Sequence, residues 1–273
     1  MSQLDERIQV FEDDVLPRWA RHFATLLLAD LPVPEEARAL DVACGMGETS
    51  LELLRRHGER VAQVMAVDES REEIEAVAAR AGDLAGQKLF TKRDNLGERL
   101  AFPDGSFDLV LGCFGVLPAA DNRRLIRELV RVARPGGGVA FAYVARNSLR
   151  ELLDLFVIEL GRLEEPAAAR RVEALAESFL SPKQAQYLLE TAGVSAVVVD
   201  TTRFTLEYAD VDRFRQCPVW GEHLRPAVRT AVEDRKVFEA ADERVGERVG
   251  RYTRRGAFEV SVIAASVRGE REA

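Results

Sequence analysis

The sequence predicts an α/β fold built on a doubly wound, mostly parallel sheet, and three observations carry that expectation. Between residues 37 and 145, apolar runs of strand length alternate with amphipathic helical stretches, the pattern of βα units. The first run, "ARALDVA", leads into "CGMGETS", a glycine-bearing turn that opens a helix. The break "RPGGG" then stops the last helix of the series just before the run "VAFAYVA".

Length and charge narrow the classes. A chain of 273 residues can bury a sizeable core, and 47% hydrophobic with 31% charged residues is ordinary for a globular protein. A net charge of −8 disfavours a nucleic-acid partner, because phosphate affinity depends on a basic face. Lysine occurs only at Lys88, Lys92, Lys183 and Lys236, a compositional bias toward arginine that carries no functional weight. Cys44, Cys113 and Cys217 are too few and too scattered for a disulfide framework or a CxxC metal site, so no metal is expected. The opening "MSQLDERIQV" is polar and acidic, and no apolar run approaches the ~18 residues of a membrane span. A cytoplasmic protein is the expectation.

Along the chain, residues 4–30 place Phe11, Val15, Trp19, Phe23 and Leu27 at four-residue spacing, an amphipathic helical segment interrupted or restarted at Pro17. The strand "ARALDVA" is followed by helical "SLELLRRHG", strand "VAQVMAVD", helical "SREEIEAVAARAG" and strand "KLFTKRD". "FDLVLGCF" is the fourth strand, "NRRLIRELVRVAR" the next helix and "GVAFAYVA" the fifth strand. Residues 148–179 read as wholly helical. In "LSPKQAQYLLETAG", Ser181 caps a helix that begins at Pro182 and stops at Gly193. "VSAVVVDTTRFTLEY" and "GAFEVSVIAASV" are the last strand candidates. The expected organisation is one domain over residues 1–273. It comprises a leading helical lid (1–36), a cofactor-binding core (37–147), a helical insertion (148–193) and C-terminal strands (194–273) with a helical substrate cover at about 210–256.

The chemistry of the first turn selects its ligand. A dinucleotide reader would carry G-x-G-x-x-G, whereas here Gly45 and Gly47 are followed by Glu48, Thr49 and Ser50, and the third glycine is missing. Asp41 before the glycines and Glu48 after them would repel a diphosphate in a partly desolvated site. A cationic ligand reverses that sign, and S-adenosylmethionine offers a sulfonium and an ammonium for the acids and a carboxylate for exposed amides. Asp68 ends the second strand about 20 residues beyond Gly47, the spacing at which an acid meets a ribose diol. Asp94 ends the third, where its carboxylate suits an adenine amino group.

From about residue 37 to residue 145, the text "LDVACGMG", "VMAVDES", "RDNLGERLAFPDGSFDLVLGCFGVL" and "ELVRVARPGGGVAFAYV" resembles the core of a class I S-adenosylmethionine-dependent methyltransferase. The group it is most similar to is the broad type-11 one that includes the quinone-methylating enzymes. The resemblance implies a seven-stranded Rossmann-like sheet whose last strand, here about residues 258–267, is antiparallel. It implies that residues 41–47, with Asp41, Ala43, Cys44, Gly45 and Gly47, hold the methionine moiety and that Asp68 holds the ribose hydroxyls. Asp94 and the backbone of Asn95 would contact adenine, and Gly112 and Cys113 would pass the sulfonium side. Ala43 stands where a glycine is often found, and Glu69 and Glu73 stand where relatives more often carry apolar residues.

Other residues have a plain reading beside a functional one. The cysteines fit as small buried fillers. His22 and His223 are the candidate general bases, though a lone helical histidine is commonly a packing or surface residue. Phe11, Trp19 and Tyr143 are candidate acceptor-lining residues, with core packing the alternative. Arg123, Arg124, Arg127, Arg131 and Arg134 read as a solvated helix face opposite Leu125, Ile126, Leu129 and Val130. The function expected is methyl transfer to a carbon or oxygen nucleophile of a small molecule of phenolic or quinone type. The alternatives are a non-catalytic, cofactor-binding partner subunit and a dinucleotide-dependent oxidoreductase.

Overall fold

Strands β1 (Ala37–Val42), β2 (Val61–Asp68), β3 (Leu89–Arg93), β4 (Phe107–Cys113), β5 (Ala133–Val144), β6 (Val194–Tyr208) and β7 (Phe258–Arg271) form one sheet in the order β3-β2-β1-β4-β5-β7-β6. It is mostly parallel with one antiparallel strand and is flanked by helices, as the sequence predicts. These features come from a computed structural model that describes residues 2–114 and 119–273, with the side chains at 119–122, 222 and 223 outside the description. The middle strands read as continuous apolar runs because both of their faces are covered. Leu40 and Val42 of β1, Leu109 to Leu111 of β4 and Val139 to Ala142 of β5 are all fully buried.

The sheet order fixes where a ligand can sit. The chain leaves β1 for β2 and β3 on one side, then crosses to β4 on the other, so the switch point lies between β1 and β4. Register brings the carboxyl ends of the strands level there. Val42 pairs with Val67 and with Gly112, and Asp68 pairs with Arg93.

The helices are α1 (Gln3–Val10), α2 (Arg21–Leu27), α3 (Glu48–His57), α4 (Arg71–Ala81), α5 (Ala119–Val132), α6 (Arg150–Arg162), α7 (Pro166–Ser178), α8 (Pro182–Thr191), α9 (Val211–Gln216), α10 (Arg225–Val232) and α11 (Arg235–Tyr252). Between α1 and α2 the chain does not break at Pro17. It stays helical over Phe11–Ala20 but winds wider, as a π-type segment, which accommodates a residue with no N–H to donate. The start of α8 follows the sequence closely. Ser181 accepts from the Gln184 amide while the Gln184 side chain accepts from the Ser181 amide, a reciprocal capping box.

Two details depart from the sequence reading. Strand β5 begins at Ala133, ahead of the expected break, because Ala133 pairs with Phe107 before the register shifts and Gly138 pairs with Leu109. The arginine row is not uniformly solvated either. Arg134 lies in β5 and pairs with Asp108, and the Arg131 side chain is only 15% exposed. Arg131 donates to the carbonyls of Leu100 and Phe102 and to Asp104 and Glu128, because the β3–β4 connection leaves carbonyls that need donors.

The chain divides into two compact units. The first comprises Met1–Tyr143, Ser181–Thr201 and Ala264–Ala273, and within it Arg271 donates to the carbonyls of Arg131 and Ala133. The second comprises Val144–Leu180 and Thr202–Ile263 and is organised around aromatic rings. Phe156 lies 5.5 Å from Trp220 and 6.2 Å from Phe238, and Trp220 lies 5.3 Å from Phe214. Among the described residues of this unit, Glu159 of α6 is enclosed, with 4% of its side chain exposed, and receives Arg248 of α11 and Arg162. Removing the carboxylate leaves the Arg248 charge 17% exposed and without that partner, so Glu159→Ala should cost about 3 kcal/mol. Urea denaturation of the variant, followed by tryptophan fluorescence, measures this through Trp220.

Candidate cofactor site

The turn after β1 is wound by alternate left-handed residues. Ala43, Gly45 and Gly47 have φ of 57°, 50° and 80°. Glycine adopts this region without strain, whereas the Ala43 methyl stands close to its own carbonyl oxygen there. Space excludes a side chain at Gly47 as well, since a Cβ would come 2.9 Å from Val77. Gly47 is also the N-cap of α3 and offers no side-chain acceptor, which leaves first-turn amides of a ten-residue helix available to an anionic group.

Asp41 lies beneath this turn and is fully buried. One carboxylate oxygen accepts from the Ser50 hydroxyl at 2.6 Å, and the other, Oδ1, is buried without a hydrogen-bond partner. Burial pushes its pKa up to about 7, with the Ser50 hydrogen bond pulling the other way. A buried, half-satisfied acid at a glycine turn is suited to a cationic group, which would supply the missing partner and favour the ionised form.

Asp68 ties the neighbouring strand end to the turn. Its Oδ2 accepts from the Gly45 amide at 3.0 Å and its Oδ1 from the Ser70 amide at 3.0 Å, while Ser70 in turn caps α4. The carboxylate is therefore fixed in direction, and each oxygen keeps capacity for another donor. Asp94 follows β3 directly and its amide donates to the Asp68 carbonyl. Its carboxylate accepts from the amides of Asn95 and Ala101 and from Lys92. Burial acts to raise its pKa, but these hydrogen bonds outweigh it and hold the acid below the ordinary range. The Asn95 amide, expected to face a ligand, is thus engaged by its own neighbour, and Asp94 also organises the loop over residues 95–101.

On the other side of β1, Gly112 permits a close approach. A Cβ there would lie 2.7 Å from the Phe114 ring, which itself stacks toward Phe141 at 5.3 Å, with Tyr143 next in the row at 5.6 Å. Tyr143 is buried and its hydroxyl has no hydrogen-bond partner. Cys113 is half-buried. Cys44 is buried, and its thiol is pushed well above the ordinary range by burial and by the Asp41 charge, so it contributes backbone and bulk here, not a nucleophile. Cys217 fills space in the second unit, where its sulfur accepts from Tyr208. Trp19 is buried and lies 5.1 Å from Phe23, while Phe11 lies under the Arg80 guanidinium at 4.8 Å. His22 sits in α2, its imidazole held below the ordinary range by burial and then by Arg21. The His223 side chain lies outside the described residues. Among the described residues no group of His, Cys, Asp and Glu could hold a metal, and no helix is long and apolar enough to cross a membrane.

Residues 39–137, which contain this turn and all three strand-end acids, match the family model described as a methyltransferase domain. The chain is 31% identical to the demethylmenaquinone methyltransferase of Thermus thermophilus, in a match over 65% of this chain and 81% of that one. The chain belongs to the class I S-adenosylmethionine-dependent methyltransferases. The uncharacterized methyltransferase YcgJ of Bacillus subtilis is also 31% identical, over 56% of this chain and 55% of its own length. Its crystal structure superposes with a TM-score of 0.59 at 17% identity, covering 93% of this chain and all of YcgJ, which is a likeness of fold. Membership sets aside the dinucleotide reading. The cradle fits the family's cofactor on its own chemistry too, with an orphaned carboxylate for a cation, an uncapped helix start for a carboxylate and a fixed acid for a diol.

The left-handed backbone at Ala43 agrees with its standing where a glycine is often found. One residue that shapes the turn was invisible in the sequence: Arg80, 34 residues beyond Met46, reaches the carbonyl of that residue.

The Asp41 geometry predicts a pH signature. Because the folded acid titrates near 7 and the unfolded one near 4, the native state holds the extra proton between those values. Its stabilising effect is complete below about pH 4 and is lost as pH rises through 7. Ligand-free protein should therefore lose about 2–3 kcal/mol more stability than Asp41→Asn between pH 5 and pH 8, measured by denaturation at each pH.

Proposed function

We propose that this protein transfers a methyl group from S-adenosylmethionine to a carbon or oxygen nucleophile of a small acceptor of phenolic or quinone type. The observation that carries the reading is the buried Asp41 carboxylate, half-satisfied at a glycine turn and two register positions below Asp68, whose carbonyl accepts from the Asp94 amide on the next strand end. Asp41 pairs with the ammonium group, and the uncapped start of α3 receives the carboxylate. Asp68, held by two amides, accepts from the ribose hydroxyls, and Asp94 borders the adenine. Gly112 and Cys113 flank the sulfonium side. Bound there, the cofactor supplies an electrophilic methyl group.

The chain's part in the chemistry is alignment. Holding two substrates in near-attack geometry is worth up to about 7–11 kcal/mol, so a dedicated base is optional. The Thermus relative supports the acceptor class, since its name specifies a demethylated quinone. Tyr143 supports it differently. Burial keeps its phenol protonated, and the unpartnered hydroxyl is a donor suited to an acceptor oxygen.

Titration calorimetry with S-adenosylmethionine tests the cofactor assignment. Micromolar binding is expected in the wild type and a tenfold to hundredfold loss in Asp68→Ala, the value of one charged hydrogen bond of about 1.5–3 kcal/mol. Incubation of a metabolite extract with methyl-labelled cofactor should then give a labelled product with S-adenosylhomocysteine. Tight cofactor binding without product from any extract would instead favour the non-catalytic partner subunit.

Tyr143→Phe separates binding from packing. Removing a buried, unpartnered hydroxyl should leave stability unchanged or raised by about 1 kcal/mol. If the hydroxyl holds acceptor, KM for acceptor rises about fivefold to tenfold while cofactor affinity stays constant. Unchanged kinetics would make Tyr143 a core residue only.

A further inference from the structure

Arg80, near the end of α4, is enclosed to a degree unusual for an arginine, with 6% of its side chain exposed. All three of its guanidinium nitrogens are engaged. Nη1 donates to the carbonyl of Met46, in the middle of the glycine turn, and Nη2 pairs with Glu48, the first residue of α3, at 3.1 Å. Nε reaches Glu12 at 3.3 Å, and the guanidinium plane covers the Phe11 ring. Glu12 and Phe11 belong to the wide helical segment that precedes the fold. A second tie joins the same regions, since Arg7 of α1 pairs with Glu73 of α4 at 2.8 Å.

These contacts have a direction. The Met46 carbonyl and Glu48 lie on the two sides of Gly47, whose left-handed backbone defines the turn. A guanidinium offers a rigid fork of donors, so fixing two acceptors on the turn fixes the angle at which the third donor meets Glu12. The leading helix can close on Arg80 only when the turn has its cofactor-holding shape. Glu12 and Glu48 would otherwise repel one another, and Arg80 is the cation that lets both stand beside the turn.

We infer that Arg80 is a positioning residue that couples docking of the leading helical segment to the shape of the cofactor turn. The coupling to cofactor rests on the reading of the turn given above, whereas the coupling between segment and turn stands without it. Cofactor that orders the turn strengthens the hold on residues 3–20. Release of that segment loosens the turn and weakens cofactor binding by the same factor, because linkage is reciprocal.

Hydrogen exchange on the full chain, with and without S-adenosylmethionine, tests this through Arg80→Gln and Glu12→Gln. Glu12 is remote from the turn in sequence, so its variant is the informative one. Both variants should speed exchange in residues 43–50 as well as in residues 5–20 of ligand-free protein. Both should weaken S-adenosylmethionine binding in titration calorimetry, Arg80→Gln by about tenfold and Glu12→Gln by less. The double variant should lose no more than Arg80→Gln alone, since the two act through one contact. Thermal melting and circular dichroism establish that each variant is folded. Faster exchange confined to residues 5–20 in Glu12→Gln, with turn exchange and cofactor affinity unchanged, would overturn the coupling. Wild-type protein that binds no S-adenosylmethionine would defeat the cofactor reading and leave the ligand-free exchange result to decide the role of Arg80.

Discussion

The buried carboxylate of Asp41 is the constraint around which the site is built. An acid at the end of a fully covered strand costs free energy unless something compensates it, and the fold supplies only half of that compensation through Ser50. Ser50 can reach Asp41 because the chain reverses within eight residues, which requires the left-handed backbone at Ala43, Gly45 and Gly47. The same reversal aims the start of α3 at the sheet's switch point and presents the Gly45 amide to Asp68. Turn, helix and second strand are thus arranged about one incompletely satisfied charge.

Elements that depend on local chemistry were legible in the sequence. Ser181 with Pro182 marks a helix start, the apolar strands mark the sheet, and Asp41, Asp68 and Asp94 each stand at or near the carboxyl end of a strand. A parallel sheet puts the ends of such runs on one edge, so sequence position translated into spatial position. Glu48, read beside Asp41 as a second acid facing a ligand, is instead answered by Arg80, a partner that its spacing does not reveal.

Long side chains were not legible, because their partners are set by tertiary distance and not by spacing. Arg131 looked like part of a solvated stripe and instead holds carbonyls some 30 residues earlier in the chain. Arg80 sat unremarked in a charged helix, yet its partners come from two other regions. Pro17 reads in the sequence as an interruption or a restart, and the outcome depends on whether the helix around it can widen, which propensity does not specify. Glu73 is answered by Arg7, which lies outside residues 39–137 that match the family model.

The backbone at Ala43 has a consequence for sequence variation. A left-handed residue at φ 57° admits glycine freely and alanine, asparagine or aspartate at a modest penalty, but a β-branched side chain only with crowding. That position, two residues beyond the buried acid, therefore disfavours the valine and isoleucine that the adjoining apolar strand accepts freely. Such a position looks permissive when only alanine and glycine are compared. A saturation library that includes the β-branched residues would expose the backbone constraint.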